Sequence, residues 1–222
     1  MRRLIKLMIV IVPSVIAFAE IEVADVEKLT DPATLVEIAK NEDLLGRVRK
    51  VAVEKLDDQA LLAEIVKNAS GYEPRKTIMA KLTDQTLLVD LAKNAKTYET
   101  RKAATEKLDD QAILLEIANK DRHLNVRCAA IGRLTDQVVL NEYAKNDKDR
   151  SARRIAIRKL TNQTVLVEIA KNDKDAFIRE AAIAQISDQA VLVESAKTDK
   201  DKNVREMAER RLEEIGKGKT LE

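Results

Sequence analysis

A leucine or isoleucine returns at Leu29, Leu56, Leu82, Leu108, Leu134, Leu160, Ile186 and Leu212, at a spacing of 27 residues once and 26 six times. The text around these positions repeats as well: EYAKNDKD at 142–149 comes back as EIAKNDKD at 168–175. Self-similarity of this length constrains the fold more than any other feature. It means an array of small supersecondary units, each burying its apolar face only against its neighbours. Composition says what the units are made of. Only 2% of the 222 residues are aromatic, Trp is absent, and there are five Gly and three Pro. Ala, Leu, Ile, Val, Glu and Lys favour helix, and so few Gly and Pro leave little room for long loops.

Each unit reads as two short helices. The first begins at an Asp-Gln or Asp-Pro pair such as Asp31-Pro32, with Asp as N-cap and Pro at the first helical position. Leu35, Ile38 and Ala39 then share a face, as do Leu166, Ile169 and Ala170. The Asn-Asp-Lys-Asp segment ends that helix, turns, and caps the next. In the second helix Ile178, Ala181, Ala182 and Ile186 fall at i, i+3, i+4 and i+8. The expected fold is an all-α solenoid of stacked antiparallel helix pairs.

Charged columns follow the same period. Arg49, Arg75, Arg101, Arg127, Arg153, Arg179 and Arg205 recur without exception. An acid stands six residues earlier at Asp43, Asp121, Asp147, Asp173 and Asp199, whereas Ala69 and Ala95 hold that place in two units. Glu37, Glu64, Asp90, Glu116, Glu142, Glu168 and Glu194 form an acidic column on the first helix. A catalytic group is needed once, so groups present in nearly every unit read as a structural ladder. With the acid six residues upstream as the partner, Arg153 and Arg179 are expected to matter more to stability than Arg75 and Arg101.

Paired short helices with Asp, five intervening residues, an apolar-Arg pair and then spaced Ala and Leu resemble HEAT-type repeats. Asp147 to Arg153, Asp173 to Arg179 and Asp199 to Arg205 carry the match. The resemblance spans about residues 21–215. It implies hydrogen bonds within and between units at these positions, second helices on a concave side, and a scaffold or binding surface as the role. Units here are shorter than usual, and Ala69 and Ala95 depart from the motif.

Nothing in the chain spells a reaction centre. There is no phosphate-cradling Gly loop, no Gly-x-Ser-x-Gly and no Cys-x-x-Cys. The Asn-Asp-Lys-Asp turns lack the Gly and late Glu of a calcium loop. His123, the single histidine, has no partner at ligand spacing and reads as a solvated turn residue. Cys128, the single cysteine, can form no internal disulfide and has no activating neighbour in sequence. No catalytic, metal or cofactor site is expected, and the chain does not read as an enzyme.

Residues 1–19 differ from the rest: Arg2, Arg3 and Lys6 lead an apolar run ending in Ala-Phe-Ala, the layout of a secretory signal. The open alternatives are an uncleaved membrane anchor and an apolar capping helix, the latter leaving the protein cytoplasmic. Removal of those three basic residues with the leader takes the formal net charge from +2 to −1, which argues against a polyanion as partner. The remainder, 20–220, reads as one array: a leading half-repeat at 21–29, seven repeats over about 30–212, and a polar cap to 220. The final Leu-Glu reads as a cloning remnant.

Surface columns suggest the role. One second-helix face runs Lys50, Lys76, Lys102, Cys128, Arg154, Glu180, Glu206, a groove suited to an acidic protein segment or simply a solvated face. A column just before the second helix holds Tyr72, Tyr98 and Leu124, with Leu44 and Leu45 ahead of it. The reading is an exported, non-catalytic scaffold whose partner-binding residues are Tyr72, Tyr98, Leu124, Lys50, Lys76, Lys102 and Arg154. The rivals are a nucleic-acid-binding or repair protein of HEAT-like build and, more weakly, a lyase-type accessory protein relying on Cys128.

Overall fold

A computed structural model describes residues 21–68 and 71–218. The segment at 1–19 read as a secretory signal, Ala69 and the final Leu-Glu lie outside them. The described residues form fifteen helices and no strand. They divide into two compact units, through Asp84 and from Gln85. The first unit holds α1 (Val23–Val26), α2 (Pro32–Lys40), α3 (Gly46–Glu54), α4 (Gln59–Asn68) and α5 (Tyr72–Lys81). The second holds α6 (Gln85–Asn94), α7 (Tyr98–Thr105), α8 (Gln111–Lys120), α9 (Leu124–Arg133) and α10 (Gln137–Asn146). It continues through α11 (Arg150–Lys159), α12 (Gln163–Asn172), α13 (Ala176–Ile183), α14 (Gln189–Thr198) and α15 (Lys202–Gly218). Among the described residues no helix is long and apolar enough to cross a membrane.

The helix starts are where short polar side chains put them. Asp110, Asp136, Asn162 and Asp188 each accept two backbone N–H groups from the first turn they precede. Asp31 accepts from Thr34 and is followed by Pro32. Such caps satisfy donors that a helix leaves orphaned and are each worth about 1 kcal/mol.

In the second unit each first helix packs on its own partner, and the second helices stack directly: α7 on α9, α9 on α11, α11 on α13, α13 on α15. Small residues allow this. Ala104, Ala130, Ala156, Ala182 and Ala208, 26 residues apart, are all fully buried. The first helices supply the bulk, with Leu88, Leu114, Leu140, Leu166 and Leu192 fully buried at the same period. In the first unit α3 plays the second-helix role, packing on α1, α2 and α5.

The arginine column corrects the expected pairing. The upstream acid gives its backbone carbonyl, not its carboxylate: Arg127, Arg153, Arg179 and Arg205 each donate to the main-chain oxygen six residues back at 2.7–3.0 Å. Arg101 does the same with Ala95 at 3.1 Å, so the missing carboxylate there costs it nothing. The carboxylates serve the preceding repeat instead. Arg101 binds both oxygens of Asp121, and Arg179 both oxygens of Asp199, at 2.8–3.2 Å. Arg127 turns to Asp149, and Arg153 makes longer contacts to Asp173 and Asp175 at 3.8 and 3.5 Å. Asp121, Asp147, Asp173 and Asp199 also accept the N–H two residues on, closing their own turns. In the first unit Arg49 donates from Nε to Ala39 at 3.1 Å, Asp43 is exposed, and Arg75 lies over the Tyr72 ring.

Two further ladders carry the stacking. Gln59, Gln85, Gln111, Gln137 and Gln163 each donate to the carbonyl 22 residues on. Each also accepts the N–H 24 residues on. One amide thus ties the end of the following second helix to the next turn. Along the first helices a lysine meets the acidic column of the following repeat: Lys40–Glu64, Lys93–Glu116, Lys145–Glu168 and Lys171–Glu194, at 2.6–2.8 Å. These pairs are exposed, so each is worth at most about 1 kcal/mol.

Candidate interaction surface

In the first unit Leu45, the N-cap of α3, and Tyr72, the first residue of α5, are each 61% exposed. Arg75 stands 5.7 Å from the Tyr72 ring centroid, one turn along the same helix. Leu44 is half-buried. Lys76 is exposed, and Lys50 reaches Glu54 four residues on at 3.5 Å.

The second unit holds Tyr98, Lys102, Leu124 and Arg154. Tyr98 is half-buried, because His123 stacks on it with ring centroids 3.6 Å apart and planes within 9°. His123 is therefore not a solvated turn residue. Its Nδ1 also accepts the Asn125 N–H, capping α9. No sequence signal pointed to this pair, since its rings start on different repeats and meet only through the stacking of α7 on α9. Leu124 is half-buried beside it, and Lys102 binds Glu106 at 2.9 Å. Arg154 is exposed.

Between α7, α9 and α11 runs an open groove of about 420 Å³. Lys102, Glu106, Cys128, Ala129, Gly132 and Ile155 line it. The floor is small because the second helices pack through their small residues. Cys128 takes the place that lysine holds in α3, α5 and α7, and it is buried; burial pushes its thiol up, away from the reactive thiolate. A further aromatic, Phe177, is 55% exposed at the start of α13, with the Arg150 guanidinium 4.7 Å from its ring centroid. It lies one residue off the aromatic column, which is why the column did not reveal it.

Charge elsewhere is spent on structure. The Arg179 hydrogen bonds, set against burial, hold the Asp199 carboxyl below the usual carboxylate range. Asp121 is lowered too: burial pushes it up most strongly, and the Arg101 and His123 N–H donors together outweigh that. Among the described residues no group of His, Cys, Asp and Glu could hold a metal ion.

No protein-family model matches this chain, and no curated protein matches it. A solved structure described as a leucine-rich repeat variant with a novel repetitive protein structural motif is similar to it. The TM-score is 0.52 and the identity 20%, over 87% of this chain and 88% of that one. At that identity the likeness is one of fold alone: this is an all-helical repeat protein.

Proposed function

We propose that the protein is a HEAT-type, non-catalytic scaffold that binds a protein or peptide partner along the second helices of its second unit. What supports the HEAT-type reading is the arginine arrangement of the second unit, with a carbonyl bond inside the repeat from Arg101 through Arg205 and, at Arg101 and Arg179, a carboxylate bond from the following repeat. The observation that carries the binding role is the groove floored by Ala129, Gly132 and Cys128 and flanked by Lys102, Glu106 and Ile155. Small side chains on the floor let a partner's side chains come close to the helix axes, while Ile155 offers apolar area and Lys102 and Glu106 polar contacts. Lys102 is paired with Glu106, and Arg133 at the groove's edge with Asp109, so the groove is less basic than the column alone suggested.

The test is site-specific photo-crosslinking in extract of the native host. A crosslinker at Ala129 should capture a discrete partner, and one at Glu142 on a first helix should not. Ala129→Trp, which fills the groove, should abolish partner capture by a second crosslinker at Arg154. Equal capture at both faces, or capture unchanged by Ala129→Trp, would reject the groove as the binding surface.

A further inference from the structure

A second concavity lies in the same unit, on the edge where α6 turns into α7 and α8 into α9. Its volume is about 650 Å³. Ala95 is buried in its wall. The corresponding positions in later repeats are Asp121, Asp147, Asp173 and Asp199, each bonded into its own turn. At Ala95 that carboxylate is absent, so this turn adds no acid to the edge.

The charges that remain do not balance. Lys93, Lys96, Arg101, Lys120 and Arg122 line the cleft against two acids, Glu116 and Asp121. Both acids already have partners: Glu116 binds Lys93 at 2.6 Å and Lys120 at 3.5 Å, and Asp121 binds Arg101. The Lys93 bond holds the Glu116 carboxyl below its usual range, so it stays ionised and committed. Lys96 and Arg122 are exposed, and among the described residues no acidic side chain hydrogen-bonds to either, though the Arg122 charge helps lower Asp121. Cations gathered in a concave wall focus their field outward more than the same charges on a convex surface.

We infer that this cleft is a binding subsite for an acidic peptide segment, with Lys96 and Arg122 as its exposed cationic contacts. The volume falls in the range of sites that take several groups rather than one ion. No aromatic ring lines it, so the bases of a single strand of nucleic acid would find nothing to stack on. The subsite is separate from the groove floored by Ala129 and does not depend on it.

The experiment is direct binding of a fluorescein-labelled hexaglutamate peptide to the full chain by anisotropy, at low and at near-physiological salt. Hexaglutamine, inorganic phosphate at matched ionic strength and an oligothymidylate serve as competitors. The expected result is salt-sensitive binding that hexaglutamine, phosphate and the oligonucleotide do not displace. Lys96→Glu with Arg122→Glu should weaken it at least about tenfold. Ala129→Trp should leave it unchanged, which separates this site from the groove. The two charge reversals lie on exposed side chains, and circular dichroism checks that they fold. Affinity unchanged in the double variant overturns the assignment, as does phosphate displacing the peptide, which would leave an ion site only. Tighter oligonucleotide binding, lost in the same variant, overturns it in favour of nucleic acid.

Discussion

Arg179→Met tests whether the inter-repeat ion pair, rather than the acid six residues upstream, is what the arginine column contributes. Methionine keeps most of the buried stem and removes the guanidinium. Arg179 is 2% exposed; its Nε and Nη2 bind the two oxygens of Asp199 at 2.9 and 2.8 Å, and its Nη1 binds the Asp173 carbonyl at 3.0 Å. Removing it leaves Asp199, whose side chain is 11% exposed, with only the Asp201 N–H at 2.8 Å. Breaking a buried pair by deleting one partner costs about 3–5 kcal/mol. The retained N–H and partial exposure put this case near the lower end, about 3 kcal/mol. Arg101→Met should cost the same, because Arg101 holds Asp121 in the same way. Arg153→Met should cost about 1 kcal/mol. The Arg153 contacts to Asp173 and Asp175 are long, its Nε has no hydrogen-bond partner, and the Asp147 carbonyl at 3.0 Å is its one good bond. Urea unfolding followed by far-UV circular dichroism measures the difference. Midpoints and slopes are read together, because repeat arrays can lose two-state behaviour. The acid limb adds a signature. Asp199 has a folded pKa below the ordinary aspartate value of 3.8, so its stabilisation is complete above that pH and is lost as pH falls through the lower folded value. The Arg179→Met deficit should therefore be full at neutral pH and shrink below about pH 3.8. Equal losses for Arg153→Met and Arg179→Met, or a deficit that stays undiminished in strong acid, would refute the reasoning.

Two other substitutions separate the remaining ladders. Gln137→Leu removes an amide bonded to Lys159 and Thr161 at 3.1 and 3.0 Å, and should cost about 1–3 kcal/mol in the same unfolding assay; no loss would mean that water replaces the bridge. Arg49→Met should cost less than about 1 kcal/mol, since Arg49 is buried with Nη2 unpartnered and faces Gly71 where Arg127 faces Asp149; a loss as large as that of Arg179→Met would reveal a partner the geometry does not show.

The period, the helix starts and the buried columns were legible in the sequence because each rests on local physics. Asp before Gln or Pro caps whichever helix follows it, and an apolar residue every 26 positions must face the same neighbour in every unit. The arginine column was legible as structural, but its partner was not. A guanidinium has five donors, and acceptors stood six residues behind, twenty ahead and twenty-two ahead of it; only the rotation and offset between stacked repeats choose among them. The same offset aligns Gln137 with the carbonyl of Lys159 and lays His123 on Tyr98. What one residue does to its own turn can be read from the chain, while what it does to the next repeat depends on a packing angle that no single repeat encodes.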